Sequence, residues 1–208
     1  MSHLIALGGG SGSGKSLLSA ALKQHLGDAA SILPYDAYDR DQSHLSMAER
    51  DALNYDSPSA MDEELFIAHL KAIKRGETIA VPQFDFATHT RKKETMPFTP
   101  TSIVIVEGIL AYVIPEPRKY FDYFIYVDAP ADIRLARRII RDRKERGYDT
   151  DHILKQYLST VRPMHERYVE PTRKEADFLF PNPTNGGLDE KELNRLLTIL
   201  SDKFLKKD

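Results

Sequence analysis

The 208-residue chain contains no cysteine, which excludes disulfides and thiolate metal sites and fits a reducing compartment. Its net charge is only −2 at pH 7, so it has no overall electrostatic attraction for nucleic acid or an anionic membrane. A long apolar run is also missing, since residues 103–114 are interrupted by Glu107 and Gly108 and are too few to span a bilayer. The first residues lack the basic segment of a signal peptide. We therefore expect a cytoplasmic protein without a nucleic-acid or membrane partner.

A glycine-rich segment is the strongest indication of function. Residues 9–16 read Gly-Gly-Ser-Gly-Ser-Gly-Lys-Ser and match the P-loop spacing G-x-x-x-x-G-K-[ST], between an apolar run at 4–7 and an amphipathic run at 17–22. A strand, a glycine turn and a helix N-terminus in this order direct backbone N–H groups and the helix dipole at one point, which suits a di- or triphosphate. Lys15 would then reach the β- and γ-phosphates, and the Ser16 hydroxyl would ligate Mg²⁺. The predicted nucleotide-binding residues are Gly9, Gly10, Ser11, Gly12, Ser13, Gly14, Lys15, Ser16 and Leu17.

The remaining pattern predicts an α/β fold. Apolar runs that suit buried parallel strands alternate with helical patterns, so we expect a P-loop NTPase-type parallel sheet with helices on both faces, in one domain spanning residues 1–208. The predicted strands cover residues 4–7, 31–33, 103–106, 123–127 and 178–180. One predicted helix carries an apolar stripe formed by Met61, Leu65, Ala68 and Ala72.

Two segments depart from this alternation. Residues 78–98 read as short β segments around a polar tip, which predicts a β-hairpin insert beside the sheet that could close over an acceptor substrate. A helix from Pro130 to about Arg146, followed by Gly147, carries arginines at 134, 138 and 141 on one face. Arginines stabilise charge on a transferring phosphoryl group, so we interpret residues 137–160 as an Arg-rich helical lid, with a solvated helix face as the alternative.

Two acidic residues follow predicted strands. Glu107 ends the apolar run 103–106 in the arrangement of a Walker-B acid, so we expect it to hold Mg²⁺ together with Ser16, although a capping carboxylate has the same pattern. Asp36 follows the run 31–33, where an acid next to the P-loop strand would point towards the γ-phosphate. We interpret Asp36 as the candidate general base for an acceptor hydroxyl, with a solvated turn acid as the alternative.

Several separate motifs, in order, resemble the uridine kinase (uridine-cytidine kinase) family, and most of all its bacterial members. The resemblance covers residues 4–181. Besides the P-loop, it rests on the blocks Asp-Gln-Ser-His-Leu-Ser-Met (41–47), Asn-Tyr-Asp-Ser-Pro-Ser-Ala-Met-Asp (54–62), His-Thr-Arg (89–91), Glu-Gly-Ile-Leu (107–110), Arg-Arg-Ile-Ile-Arg-Asp (137–142), Glu-Arg-Gly (145–147), Gln-Tyr (156–157) and Val-Arg-Pro-Met (161–164). It implies Mg²⁺-dependent phosphorylation of a nucleoside 5′-hydroxyl, on uridine and/or cytidine, with ATP or GTP in pyrimidine salvage. It also implies a homo-oligomer, typically a tetramer.

The resemblance further implies roles for individual residues. Asp36 falls at the catalytic base, and Asp56 falls where a carboxylate grips the ribose hydroxyls, although the sequence around Asp56 alone favours a helix-start acid. Arg141 and Arg146 fall on arginines that face the phosphates, and with Lys15 and Asp36 they make up the predicted catalytic set. The other implied substrate contacts are Arg138 and Gln156 at the ribose, His89 at the base, and Tyr55 and Phe86 as aromatic lining.

Two positions depart from the family pattern at the base. Phe84 stands where the family commonly has a tyrosine that touches the polar edge of the pyrimidine, and Tyr148 stands where an arginine normally contacts the base. His89 is retained, but a lost hydrogen bond to a buried polar edge costs about 1–3 kcal/mol. We therefore hypothesise a weakened or altered base preference, with Phe84 and Tyr148 still lining the substrate pocket. A third departure, Pro-Asn-Pro at 181–183 in place of Pro-Arg-Gly, lies near the expected adenine end.

Two other functions stay open on the sequence. A related P-loop kinase could act on a sugar phosphate or a vitamin alcohol, but Asp56 with Gln156 favours a ribose. A non-catalytic nucleotide-binding paralogue would be expected to lose the base or the metal acid first, and Lys15, Asp36 and Glu107 are all present. We therefore take a ribonucleoside kinase as the main prediction.

Overall fold

The computed structural model describes residues 2–85, 88–183 and 187–206. Within these ranges, seven strands form one five-stranded and one two-stranded sheet. The strands are β1 (His3–Gly8), β2 (Ala30–Pro34), β3 (Ile79–Asp85), β4 (Thr90–Phe98), β5 (Ile103–Glu107), β6 (Tyr123–Asp128) and β7 (Phe178–Pro181). Each apolar run that the sequence predicts as a strand lies in the larger sheet.

Helical segments connect the strands. The α-helices are α1 (Lys15–Leu26), α2 (Met47–Asp51), α3 (Glu63–Lys74), α4 (Pro115–Arg118), α5 (Ala131–Glu145), α6 (Thr150–Gln156), α7 (Arg162–Met164) and α8 (Glu190–Phe204). Short 3₁₀ segments lie at Gly27–Ala29, Tyr35–Tyr38, Pro58–Ala60 and Glu170–Glu175, and π-helical turns lie at Tyr157–Val161 and His165–Val169. In the part of the chain that the structure describes, no helix combines the length and apolarity that crossing a bilayer requires.

The five-stranded sheet is parallel, with the order β2–β5–β1–β6–β7. Its central strand, β1, lies between β5 and β6, and the register with β5 pairs Leu7 with Glu107. Because the carboxyl ends of parallel strands meet at one edge, the P-loop after β1, Glu107 at the end of β5 and Asp36 after β2 come together. This arrangement confirms the predicted α/β fold class.

Two apolar layers cover the sheet, one on each face. Leu4 of β1 belongs to a layer with Phe66 of α3, whereas Leu7 belongs to a layer with Leu18 of α1 and Leu196 of α8. These five side chains are completely buried. Since helices pack on both faces, the strands are continuous apolar runs and not alternating ones, which is what made them recognisable in the sequence.

The predicted apolar stripe on the third helix is confirmed only in part: Met61 is buried, and Leu65 and Ala72 pack against the same apolar layer as Phe66. The carboxylate of Asp62 accepts a hydrogen bond from the Leu65 N–H at 3.2 Å and caps α3, so Met61 lies outside the helix. Ala68, also part of the predicted stripe, is exposed. The centre of the buried face of α3 is formed by Phe66, Leu70 and Ile73, which the predicted stripe did not include. These side chains remove more apolar area from water than alanines do, which decides which face packs on the core.

The predicted hairpin and the helix after the sixth strand are both present. β3 and β4 pair antiparallel, with Ile79 opposite Phe98 and Asp85 opposite Thr90. α5 ends two residues before Gly147, whose left-handed φ of 71° suits a helix end. The helical run that begins with α6 follows directly.

Candidate active site

The P-loop wraps around the N-terminus of α1. Gly12 and Gly14 have left-handed φ values of 77° and 101°. A Cβ atom on either residue would lie 2.3 Å from a neighbour, the Arg134 carbonyl oxygen for Gly12 and the Asn182 side chain for Gly14, so glycine is required at both. α1 begins at Lys15 without a side-chain cap among the described residues, which leaves its first backbone N–H groups available to an anion.

Two side chains donate hydrogen bonds to P-loop carbonyl oxygens, and a third residue packs closely against the loop. Arg137 donates to the carbonyl oxygens of Gly12 and Ser13 at 3.3 and 3.1 Å, and the Asn182 amide donates to the Ser13 carbonyl oxygen at 2.7 Å. Arg134 is buried where its backbone approaches Gly12. Arg134, which the sequence grouped with the lid arginines, therefore supports the loop, and so does Asn182 of the departing 181–183 segment.

Lys15, Ser16 and Glu107 lie together at the phosphate end. The Ser16 hydroxyl donates to Glu107 Oε2 at 3.2 Å, and the Lys15 ammonium donates to the Gly10 carbonyl oxygen at 3.1 Å. Burial lowers the pKa of Lys15, and the Glu107 and Asp36 carboxylates oppose this shift. Burial raises the pKa of Glu107, and Lys15 opposes that shift in turn. The Lys15 ammonium and the nearby carboxylates therefore partly offset the effect of burial on one another's pKa.

Asp36 lies in the 3₁₀ segment that follows β2, and its side chain is open to the cleft. Desolvation by the cleft walls raises the pKa of this carboxyl, although its exposure to solvent limits the effect. The basic groups of Lys15, Arg146 and Arg141 oppose the rise. A carboxylate in this setting can accept a proton from a hydroxyl bound next to the phosphate end.

Asp56, Arg138 and Gln156 come together beside the P-loop. Arg138 donates to Gln156 Oε1 at 2.6 Å and to Ser11 Oγ at 2.9 Å. Burial raises the pKa of Asp56, while Arg138 opposes the shift. The cluster combines a carboxylate acceptor with guanidinium and amide donors, a set that suits several neighbouring hydroxyl groups.

A buried carboxylate organises the lid arginines. Asp142 is 0% exposed, and its oxygens lie 3.3 Å from Arg138 Nε, 2.8 Å from Arg141 Nε and 3.5 Å from Arg146 Nε. Three guanidinium groups thus share one anion, which holds them beside the cleft. The sequence prediction missed this role. The i, i+4 spacing of Asp142 from both Arg138 and Arg146 was the available signal.

Aromatic side chains enclose the other end of the cleft. Tyr55 packs edge-to-face against both Phe84 and His89, with ring centroids 5.8 and 5.7 Å apart, and its hydroxyl donates to the His89 carbonyl oxygen at 2.9 Å. The Tyr148 hydroxyl lies 2.9 Å from His89 Nε2. The two departures from the family pattern, Phe84 and Tyr148, therefore lie at the same end. Phe86, also predicted here, lies outside the described residues.

These groups line one cleft of about 350 Å³. Gly9, Gly10 and Ser13 belong to the P-loop but do not line the cleft, whereas Asp39, Ile109 and Arg137 line it without having been predicted as site residues. The predicted residues that line it are Ser11, Gly12, Gly14, Lys15, Ser16, Leu17, Asp36, Tyr55, Asp56, Phe84, His89, Glu107, Arg138, Arg141, Arg146, Tyr148 and Gln156.

Asp39 is an acidic residue of the cleft that the sequence did not single out. Its side chain is 6% exposed, and the buried Oδ1 atom has no hydrogen-bond partner among the described atoms. Burial raises the pKa of Asp39 to about 8, with contributions from Asp36 and Asp56, whereas Arg91 opposes the rise. Asp39 therefore keeps its proton at neutral pH, which avoids a third negative charge beside the other two carboxylates.

The oxygen donors of Ser16 and Glu107 fit Mg²⁺, which prefers oxygen ligands and keeps several of its own waters. Over the described ranges, no group of three or more His, Cys, Asp or Glu side chains is arranged to hold a metal ion. Ser16 and Glu107 would supply two oxygen ligands of a magnesium shell, and phosphate oxygens and water would complete it.

Comparisons with known proteins place the chain in a family. Residues 4–186 match the model described as the phosphoribulokinase / uridine kinase family. A uridine kinase of Staphylococcus epidermidis is 42% identical over 205 residues, covering 98% of both chains. One of Staphylococcus aureus is 43% identical over 196 residues, covering 94% of this chain and 93% of that protein. A solved structure provisionally described as a fructose transport system kinase, from Silicibacter sp. TM1040, has a TM-score of 0.72 at 26% identity and covers 86% of this chain and 90% of its own. The chain belongs to the phosphoribulokinase/uridine kinase family.

Proposed function

We propose that this chain transfers the γ-phosphoryl group of ATP or GTP to the 5′-hydroxyl of a pyrimidine ribonucleoside, uridine and/or cytidine. The observation that carries the proposal is a single cleft that runs from the P-loop past Asp36 and Asp56 to the aromatic end around Tyr55 and Phe84. The similarity over nearly the whole chain to proteins named uridine kinase supports the same substrate.

The phosphate end binds and orients the nucleotide. Lys15 and the first N–H groups of α1 hold the phosphates, and Arg141 and Arg146 add positive charge from the lid. In phosphoryl transfer, positioning and charge compensation supply most of the catalysis, because the transition state is loose and its charge is spread over phosphoryl oxygens. These residues should therefore affect turnover more than acceptor binding.

Asp36 accepts the proton of the acceptor hydroxyl. As that hydroxyl oxygen bonds to the γ-phosphorus, the bond from the γ-phosphorus to the leaving nucleoside diphosphate breaks and the proton moves to a carboxylate oxygen of Asp36. Burial raises the pKa of Asp36, and the nearby Lys15, Arg146 and Arg141 oppose that rise and so favour the carboxylate form that accepts this proton.

Ser16 and Glu107 would hold Mg²⁺ with the phosphates. A bound magnesium ion supplies charge that offsets the β- and γ-phosphate oxygens. The hydrogen bond between Ser16 and Glu107 keeps both oxygen donors on the same side of the P-loop helix.

The acceptor end selects a nucleoside. Asp56 accepts hydrogen bonds from the ribose hydroxyls, and Arg138 and Gln156 donate to them. Tyr55 and Phe84 enclose the base, with His89 and Tyr148 at its polar edge. The homotetramer implied by the family resemblance stays a prediction that analytical ultracentrifugation of the purified chain tests.

Release of ADP from ATP tests the proposal, with uridine, cytidine, adenosine, ribose, a sugar phosphate, a vitamin alcohol and no acceptor in parallel. We expect turnover with uridine or cytidine that EDTA abolishes, and background rates with ribose or without acceptor. Turnover of a sugar phosphate or a vitamin alcohol, with neither pyrimidine nucleoside used, would contradict the proposed acceptor. Nucleotide binding without turnover of any acceptor would contradict the activity itself.

A further inference from the structure

The base end of the cleft contains a polar pair that joins two segments. His89 lies at the tip of the hairpin, immediately before β4, and Tyr148 lies between α5 and α6. The Tyr148 hydroxyl and His89 Nε2 are 2.9 Å apart, and both side chains line the cleft. Phe84, beside them, has no polar side-chain atom. A base that enters this end therefore meets the Tyr148–His89 pair as its hydrogen-bonding surface.

Both members of the pair are held in position by their neighbours. Tyr55 donates to the His89 carbonyl oxygen at 2.9 Å, and the Tyr148 N–H donates to the Asp142 carbonyl oxygen at 3.2 Å. The His152 ring packs on the Tyr148 ring, with centroids 4.8 Å apart. The heavy atoms are thus preorganised, and the protons are what can change.

His89 is a neutral imidazole at neutral pH. Burial lowers its pKa, and among its charged and titratable neighbours Asp51 opposes the shift whereas Arg146, His152 and Arg50 add to it. The Asp51 Oδ1 atom is 3.8 Å from Nε2, on a side chain that is half exposed. A neutral imidazole carries one proton on either nitrogen, so Nε2 can accept or donate a hydrogen bond.

We propose that the Tyr148–His89 hydrogen bond reverses its direction to suit the base and so reads uracil and cytosine alike. With the proton on Nδ1, Nε2 accepts from the Tyr148 hydroxyl, whose oxygen then accepts a hydrogen bond from an exocyclic amino group. With the proton on Nε2, the imidazole donates to the phenol oxygen, and the phenol hydrogen then binds a carbonyl oxygen. One heavy-atom geometry serves both bases, because a hydroxyl offers one donor and two acceptor positions.

This inference rests on the proposed function and specifies its substrate class. A fixed donor or acceptor discriminates between bases, because the wrong base leaves a buried polar group unpaired. A reversible pair leaves neither base unpaired. At neutral pH the wild-type kcat/KM values for uridine and cytidine should therefore agree within about 3-fold, well below the discrimination of a fixed reader.

Removing the phenol hydroxyl tests the reader directly. We expect Tyr148→Phe to lower kcat/KM for uridine and cytidine by the same factor, in the range of roughly 5 to 150 and mainly through KM. Tyr120→Phe, outside the cleft, is the matched control and should change neither value. A loss confined to one nucleoside, or no loss at all, overturns the proposal.

The pH dependence of the uridine-to-cytidine ratio is a second test that uses the wild-type chain. Protonated His89 carries N–H on both nitrogens, so Nε2 can only donate and the Tyr148 hydroxyl can only donate to the base. Because burial lowers the pKa of His89, the ratio of kcat/KM values should be constant at neutral pH and rise only as the pH falls below the ordinary imidazole pKa of about 6.5. His152 is a second imidazole near the pair, but it packs on the Tyr148 ring and is not part of the Tyr148–His89 hydrogen bond, so the rise should persist in His152→Gln. The rise should be absent in Tyr148→Phe, which lacks the hydroxyl. A flat wild-type ratio contradicts the reversible bond.

The outcomes separate this inference from the proposed function. If the wild-type chain turns over neither nucleoside, the proposed function fails and the inference fails with it. If both nucleosides are turned over but one is favoured by a constant factor at every pH, only the reversible reader is overturned.

Discussion

The two ends of the cleft are built in different ways. The phosphate end consists of the glycine backbone of one eight-residue loop, Lys15, and arginines held by the buried Asp142. The base end consists of the side chains of Tyr55, His89 and Tyr148, which come from three segments that are distant in the sequence. At the phosphate end, the backbone of one local loop binds the nucleotide phosphates, which are the same whatever the acceptor is. At the base end, side chains from separate segments select the acceptor, and each of them can be substituted independently of the others.

The two ends also differ in their electrostatics, since charged groups dominate the phosphate end and neutral polar groups dominate the base end. At the phosphate end, burial shifts the pKa of Lys15 down and that of Glu107 up, and the two opposite charges oppose each other's shift. At the base end, burial favours the neutral form of His89, which contacts the Tyr148 hydroxyl at 2.9 Å and a half-exposed Asp51 carboxylate at 3.8 Å. Variants at the phosphate end should therefore act on kcat, and variants at the base end should act on KM.

The largest effect should follow from the phosphate end. We expect Asp36→Asn to lower kcat at least about 100-fold, because the amide cannot take the hydroxyl proton, and Lys15→Ala to lower it comparably by removing charge from the phosphates. Steady-state assays measure kcat, and circular dichroism checks that the fold persists. Near-normal turnover of Asp36→Asn would remove it as the general base.

A smaller but still large effect should follow at Asp142. The Asp142→Ala substitution leaves three guanidinium groups without their shared anion, so we expect a loss of about 3–5 kcal/mol in unfolding free energy. We also expect kcat/KM to fall roughly 10- to 100-fold, in the range for losing a group that positions others. Glu145→Ala, exposed on the same helix, is the control for chemical denaturation and kinetics. Equal behaviour of the two variants would exclude the organising role.

The base end should respond through binding. We expect His89→Ala to raise KM for the nucleoside about 10-fold, with a smaller change in kcat, since His89 faces the base and not the reacting centre. Initial rates over a range of uridine concentrations separate the two constants. A large fall in kcat at unchanged KM would break the distinction between the two ends.

The smallest effect concerns stability at Asp39, between the two ends. The native state keeps this proton up to about pH 8, whereas an unfolded aspartate loses it near pH 4. The native state thus binds the extra proton between these values, so the contribution of Asp39 to stability is greatest at low pH and is lost as the pH rises towards 8.

Asp39→Asn has no proton to lose and removes this dependence. We expect the Tm of the variant, relative to wild type, to increase by at least about 2 °C between pH 5 and pH 9. Differential scanning calorimetry at both pH values measures the change. A Tm difference that is constant with pH would show that Asp39 is ionised in the native protein at neutral pH.

The same contrast explains how far the sequence alone could lead. The P-loop, the strand-end acids Asp36 and Glu107 and the parallel sheet are encoded in short contiguous runs, because local spacing dictates turn, strand and helix. The buried face of α3 was located only in part, since spacing alone placed Ala68 on it and missed the larger side chains of Phe66, Leu70 and Ile73 at its centre. Residue Asp142 is polar and lies in a highly charged helix, so its complete burial became visible only in three dimensions.

The base end was out of reach for the same reason. The identities of Phe84 and Tyr148 could be noted from the resemblance, but the hydrogen bond between Tyr148 and His89 joins residues 59 positions apart. Asp39 lies one 3₁₀ turn after Asp36, and nothing in its local sequence distinguishes it from the neighbouring Asp41. Non-local packing decides which acid is buried and which polar atoms meet.

The central claim is that one cleft joins phosphoryl transfer at Asp36 to a pyrimidine nucleoside at the aromatic end. The most direct measurement is the formation of uridine 5′-monophosphate from uridine and Mg²⁺-ATP by the wild-type chain and by Asp36→Asn, with uridine binding of both followed by calorimetry. We predict one nucleotide product per ADP from the wild type, and about 1% or less of that rate from Asp36→Asn at unchanged uridine affinity. No uridine 5′-monophosphate from the wild type, or equal rates from the two proteins, would contradict the account.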